Sequence, residues 1–157
     1  MFFVLLLWFS NPSVKDIDSV LNSFHHAAAQ ADSHTYFSLL ADDAVFIGTD
    51  ASELWSKSEF EVFCKPYFDA GRGWTYTPGK RDIHIAADGE TAWFVELLQN
   101  EHYGTCRGTG VLVKTPHAWL IAQYHLTIPL PNGIAKDVVS QIRAFEQSGE
   151  EPNQRSN

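Results

Sequence analysis

The sequence has little of what most catalytic centres are recognised by. Its two cysteines, Cys64 and Cys106, form no CxxC and no ligand spacing, so a structural zinc site is not expected. They are either bridged or two buried thiols, and spacing does not decide between these. No nucleophile elbow, GxGxxG or P-loop occurs, so no nucleotide cofactor is implied. There is no basic run or stripe. Nineteen acids stand against 11 bases, giving a formal charge of −8, which argues against a nucleic-acid partner. The apolar run Phe2–Phe9 has eight residues, far short of the ~20 that span a bilayer.

What the sequence has is aromatic bulk: eleven Phe, five Trp and five Tyr in 157 residues, enough for one domain with a real core. Four segments are expected. Residues 1–12 read as a signal peptide with a truncated start, or as a hydrophobic segment packed on the domain. The first reading implies export to the periplasm or exterior, the second a cytoplasmic protein. Residues 13–132 form the main domain, 133–148 a C-terminal amphipathic helix, and 149–157 a disordered polar tail.

Within the domain, helices come first. Ser13 opens a helix with Ile17, Val20, Leu21, Phe24, Ala28 and Ala31 at helical spacing. A short helix over about His34–Leu40 follows, capped by Asp32 or Ser33, then a strand at Ala44–Gly48. Ser56 and Glu59 form a capping box ahead of Phe60, Phe63, Cys64, Tyr67 and Phe68, and Gly71 stands at the C-terminal cap. From Trp74 the period changes to two. WTYTP and DIHIA are strand segments interrupted near Pro78-Gly79, and Asp88-Gly89 is a hairpin signal. TAWFVELLQ, TCRGTGVLVK and AWLIAQYHLTI are three longer strands in an antiparallel meander. Helices covering one face of such a sheet make an α+β architecture. A curved sheet closed by helices leaves a conical cavity.

A three-residue loop at Thr115–His117 would pair Lys114 with Ala118. Val113 then faces Trp119, Thr109 faces Gln123, and Arg107 faces His125. These odd positions share one face. That face runs from core, at Trp119 and Ile121, to pocket wall, at Gln123 and His125. The even face is apolar too, and predicts a homodimer through the sheet. On the preceding strand either Glu96 or Trp93 turns inward. An inward Glu96 needs a partner, and Arg107 is the expected one. His25 and His26 point about 100° apart on a helix, and no ligand lies one turn away, so no metal site is expected there.

FIGTDASELW (Phe46–Trp55), GWTY (Gly73–Tyr76), AWFVELL (Ala92–Leu98), CRGTGVLVK (Cys106–Lys114) and AWLIAQYHLTIPLPN (Ala118–Asn132) resemble the NTF2-like superfamily, in particular its SnoaL-like and ketosteroid isomerase-like bacterial branch. The last stretch is also similar to the ending of the calcium/calmodulin-dependent kinase association domain. The resemblance implies a cystatin-like cone, a curved antiparallel sheet wrapped around N-terminal helices, with frequent dimers. The helix after Asn132 is extra to the smallest members. Asp50 lies roughly where the isomerases place a carboxylate base, whereas Val95 stands where an acidic residue belongs.

Three readings follow. One is a binding domain, without cofactor, for a small apolar or carbonyl-containing molecule, using Trp55, Trp93, Glu96, Arg107 and Gln123. Another is a cofactor-independent isomerase or cyclase abstracting a proton alpha to a carbonyl, with His125 or Asp50 as base and Arg107 stabilising the enolate. The third is a structural dimerisation or assembly domain.

Overall fold

Ile17, Leu21, Phe24 and Ala28 lie along one stripe and fold into helix α1 (Val14–Ala29), which buries them. The structure is a computed structural model that describes residues 14–148. The segment at 1–12, the Ser13 cap and the tail at 149–157 fall outside the described residues. Helix α2 (Ser33–Ser38) is capped by Asp32, whose carboxylate accepts from the Thr35 amide at 3.0 Å. It ends two residues before the expected Leu40, because Leu40 opens strand β1 (Leu40–Ile47).

A short strand β2 (Leu54–Ser56) returns antiparallel to β1 and leads into α3 (Lys57–Asp69). The capping box forms as read: Ser56 and Glu59 satisfy each other's backbone N–H groups. Gly71 follows at φ 66°, a left-handed position that ends the helix at no steric cost. Then come β3 (Thr77–Ile85), β4 (Thr91–Asn100), β5 (Gly104–Lys114) and β6 (Trp119–Thr127). β3 is one strand with an irregularity between Pro78 and Arg81, not two segments.

The six strands form one curved, open sheet in the order β2-β1-β6-β5-β4-β3. β1 runs parallel to β6, and the other neighbours are antiparallel. The helices lie against the inner face. There Phe24 stacks on Tyr36 at 4.3 Å and Phe46 on Phe60 at 3.8 Å between ring centroids, and Phe68, Trp74 and Tyr124 extend the cluster. Aromatic rings thus occupy much of the cone interior. Cys64 and Cys106 are both buried and unbridged. Burial, then the charge of Glu61, pushes the Cys64 thiol up, away from the thiolate that would make it reactive.

After β6 comes Ile128–Pro131, a 3-10 turn at Asn132–Ile134, and helix α4 (Ala135–Ser148). None of the residues of α4 is buried. Among the described residues no helix is long and apolar enough to cross a membrane.

Candidate functional site: a sealed carboxylate and an open sheet face

Strand parity decides where every candidate residue lies, and a β-bulge in β6 sets it. The loop between β5 and β6 has four residues, so Lys114 pairs with Trp119 and Leu112 with Ile121. This places the even positions of β5 with Trp119 and Ile121 inside. The register then shifts by one residue, and Val111 pairs with Gln123 and Thr109 with His125. Ala122 is the extra residue. Beyond it, Tyr124 and Leu126 are buried while Gln123 and His125 turn outward.

The expected face was therefore wrong on three counts. Trp119 and Ile121 do not share a face with Gln123 and His125. The odd positions of β5 point out, and the even ones form the core. Arg107 pairs with Thr127, not His125.

Inside, among the described residues, the sheet carries one buried carboxylate. Glu96 on β4 is 0% exposed. It lies opposite Gly108, and Arg107 falls opposite Leu97 on the exposed side, so Arg107 is not its partner. The partner is Arg81, from β3, directly across the strand pair. Arg81 gives Nε at 2.9 Å and Nη2 at 2.6 Å to Glu96 Oε2, two charge-assisted hydrogen bonds converging on one oxygen. The other oxygen, Oε1, accepts from His25 Nε2 at 2.7 Å and from the Tyr124 hydroxyl at 3.0 Å. An ionised carboxylate can only accept, so His25 carries its proton on Nε2.

Arg81 Nη1 continues to α1, donating to Asp18 Oδ1 at 2.6 Å and Asn22 Oδ1 at 2.9 Å. Burial alone would raise the Glu96 carboxyl. The His25 hydrogen bond and charge, and the Arg81 charge and hydrogen bonds, outweigh it and hold the group below its ordinary value. Burial, then the Glu96 charge, keeps the Tyr124 phenol well above its usual range and so protonated.

The glycines of CRGTG make room for this arrangement. A Cβ on Gly108 would strike the Tyr124 hydroxyl and stand 2.8 Å from Glu96 Oε1. No buried side-chain N or O atom lacks a hydrogen-bond partner among the described residues. Glu96 is therefore fully ligated by its own chain, and no lone pair of it faces solvent. Trp55 also turns inward, stacked on Phe63 at 4.8 Å and Phe60 at 5.5 Å. Asp50 sits in the β1–β2 turn, accepting from the Ser52 amide at 2.8 Å, and is part of turn architecture. Neither residue converges on Glu96.

Outside, register aligns the remaining candidates in rows across the sheet. The first row reads Val45, Gln123, Val111, Trp93, His84. The second reads Leu54, Ile47, His125, Thr109, Val95, Asp82. A third contains Thr127, Arg107 and Leu97. Trp93 is 46% exposed and stacks on His84 at 5.6 Å, and Val45, Leu54, Val95 and Leu97 are exposed as well. Trp93, Arg107, Gln123 and His125 thus share one surface, the face opposite Glu96.

Sequence reasoning missed His25, Arg81 and Tyr124. The signal that bears on Tyr124 is the pair Gly108 and Gly110, which left space on the even face for a large partner. Arg81 needs the β3–β4 register, and spacing along α1 tests His25 only as a metal ligand.

Residues 17–131 match the model of the SnoaL-like domain. The chain belongs to the SnoaL-like domain family. The SnoaL-like chain is similar in fold to an uncharacterized protein with a cystatin-like fold from Caulobacter vibrioides, at 14% identity and TM-score 0.64, covering 81% of this chain and 96% of that one. It is also similar to an NTF2-like protein of unknown function from Pseudomonas putida, at 14% identity and TM-score 0.63, over 75% and 87% of the two chains. A third similar structure is that of the Xanthomonas campestris protein named putative calcium/calmodulin dependent protein kinase II association domain. It has 19% identity and TM-score 0.58, over 77% and 90%. No curated protein matches the SnoaL-like chain. These likenesses agree with the α+β, cystatin-like architecture expected from sequence.

Proposed function

We propose that this SnoaL-like chain is a homodimeric binding module whose working surface is the outer face of its sheet, with the cone interior a closed scaffold. The observation that carries this reading is the two-sided division of the sheet. The inner carboxylate is sealed by His25, Tyr124 and Arg81, while Trp93, Val95, Leu97 and Val45 lie uncovered outside. An uncovered apolar sheet face marks an interaction surface. The Xanthomonas campestris protein of similar fold is named for an association domain, in keeping with a binding role.

The enzyme reading finds less support. Proton abstraction alpha to a carbonyl needs a base in a water-excluding pocket. Glu96 is occupied, Asp50 serves a turn, and His125 lies on an open face. A small apolar or carbonyl-containing ligand is better placed at the outer rows, where Trp93 offers a ring and Arg107 and His125 offer polar groups.

Val111 stands near the middle of the first outer row. Val111→Arg is expected to raise the dimer dissociation constant by roughly a hundredfold, since it sets like charges against each other at a desolvated centre. Sedimentation equilibrium reads this. A monomeric wild type, or an unchanged dissociation constant with the fold intact by circular dichroism, sinks the proposal. A small molecule retained in native mass spectra of both wild type and Val111→Arg would return the ligand site to the interior.

A further inference from the structure

Helix α4 presents Val138, Ile142 and Phe145 at helical spacing along one stripe, yet none of the three is fully buried and only Val138 is half-buried. Ile142 is 48% and Phe145 46% exposed, and Ile134 just before the helix is 50% exposed. Helices of this length are marginal in water unless a face is packed. The same chain carries a second uncovered apolar strip, the outer ridge of β4 at Trp93, Val95 and Leu97. We infer that α4 is an exchange arm: its Val138/Ile142/Phe145 stripe packs on the β4 outer ridge of a second copy of this chain. The inference rests on the proposed use of the outer sheet face, and it names the segment that covers part of that face.

Three observations select this occupant. The dimensions match, since residues 93–97 of a strand span ~14 Å and residues 138–145 of a helix ~10 Å. The connection is a stiff spacer. Ile128–Pro131 contains two prolines, and Pro131 is extended at φ −61° and ψ 131°, a semi-rigid spacer rather than a fold-back turn.

The charges of α4 also balance, with Lys136 and Arg143 against Asp137 and Glu146. A balanced helix on a chain of net charge −8 lacks the basic face that an anionic membrane surface attracts. It does not repel a second acidic copy. A helix of 14 residues laid on a sheet covers roughly 600 Å² counting both surfaces, so two reciprocal arms cover roughly 1,200 Å². That reaches the lower bound of a stable interface before the remaining sheet rows are counted.

Cysteine cross-linking tests this directly in the full chain. Leu97→Cys and Ile142→Cys single variants are mixed and oxidised, with buried Cys64 and Cys106 as the background. A covalent dimer linking residue 97 of one chain to residue 142 of the other is expected, with neither variant alone giving comparable yield. The Leu97→Cys/Ile142→Cys double variant is expected to give the same interchain product. An intrachain disulfide in that variant, with no covalent dimer, overturns the inference in favour of cis packing. In parallel, Ile142→Asp/Phe145→Asp is expected to raise the dimer dissociation constant at least tenfold. If Val111→Arg dissociates the dimer while the α4 variant leaves it unchanged and no cross-link forms, the arm is disproved and the outer-face reading stands. A monomeric wild type removes both.

Discussion

Arg81→Ala is expected to destabilise the protein by about 3–5 kcal/mol, the cost of breaking a buried ion pair from one side. The variant removes both guanidinium contacts from Glu96 Oε2 and leaves a carboxylate of zero exposure with only His25 and Tyr124. It also removes the Arg81 contacts to Asp18 and Asn22 on α1, so the seam between α1 and β3 loosens at the same time. For a chain of this size the loss corresponds to a fall of ~6–20 °C in Tm. Replacing both partners, as Arg81→Met/Glu96→Leu, is expected to recover only part of the loss, because no charge remains to be buried but the buried His25 Nε2–H and Tyr124 hydroxyl lose their acceptor. Asp18→Ala should cost under about 1 kcal/mol, since Asp18 is 47% exposed and water screens that half of the pairing. Urea denaturation of the four proteins measures the series. An Arg81→Ala loss below about 1 kcal/mol would mean that Glu96 is not held as an ion.

The same carboxylate gives the stability an acid limb. Its folded pKa lies below the ordinary glutamate value. Its contribution is therefore complete above that ordinary value and is lost as pH falls from there through the folded pKa. Asp32, Glu59 and Asp88 are lowered by hydrogen bonds at caps and turns and share the direction. The Arg81→Met/Glu96→Leu protein should thus show a flatter decline below pH ~4.3 than the wild type. Parallel curves for the two would assign the acid limb elsewhere.

Periodicity made the helices, the capping box at Ser56 and the three long strands legible, because each is specified by residues close in sequence. The C-terminal amphipathic stripe was legible for the same reason. The site was not, and one residue accounts for most of the difference. Alternation alone put Trp119, Ile121, Gln123 and His125 on one face, but the bulge at Ala122 exchanges faces midway. Nothing in the type of residue at Ala122 announces it. The Glu96 partner was missed by a similar step: both arginines are near, but only Arg81 shares the parity of Glu96. The short β2, three residues on an edge, has too few positions to show a period.

If the bulge sets the two faces, the residue that permits it should be intolerant of change, and Gly110 is that residue. It pairs with Tyr124 on one side and Phe94 on the other, immediately beyond the register shift. A Cβ there would collide with the Gln123 carbonyl oxygen and stand 2.8 Å from Phe94 Cε1. The ring can yield a little. The carbonyl belongs to the bulged backbone and moves only if the strand does. Straightening β6 offers no escape, because it would turn Gln123 and His125 into the core and Tyr124 away from Glu96. Gly110→Ala is therefore expected to cost about 3 kcal/mol, the upper part of the range for overpacking, and Gly110→Val more. Amide exchange should localise the damage. Gln123–His125 and their β1 neighbours Val45–Ile47 should exchange faster than the β3–β4 pair, which does not touch the bulge. A Gly110→Ala protein within about 0.5 kcal/mol of wild type, with those amides still protected, would mean that the close approach at Gln123 is absorbed locally and that the bulge does not hold the two faces apart.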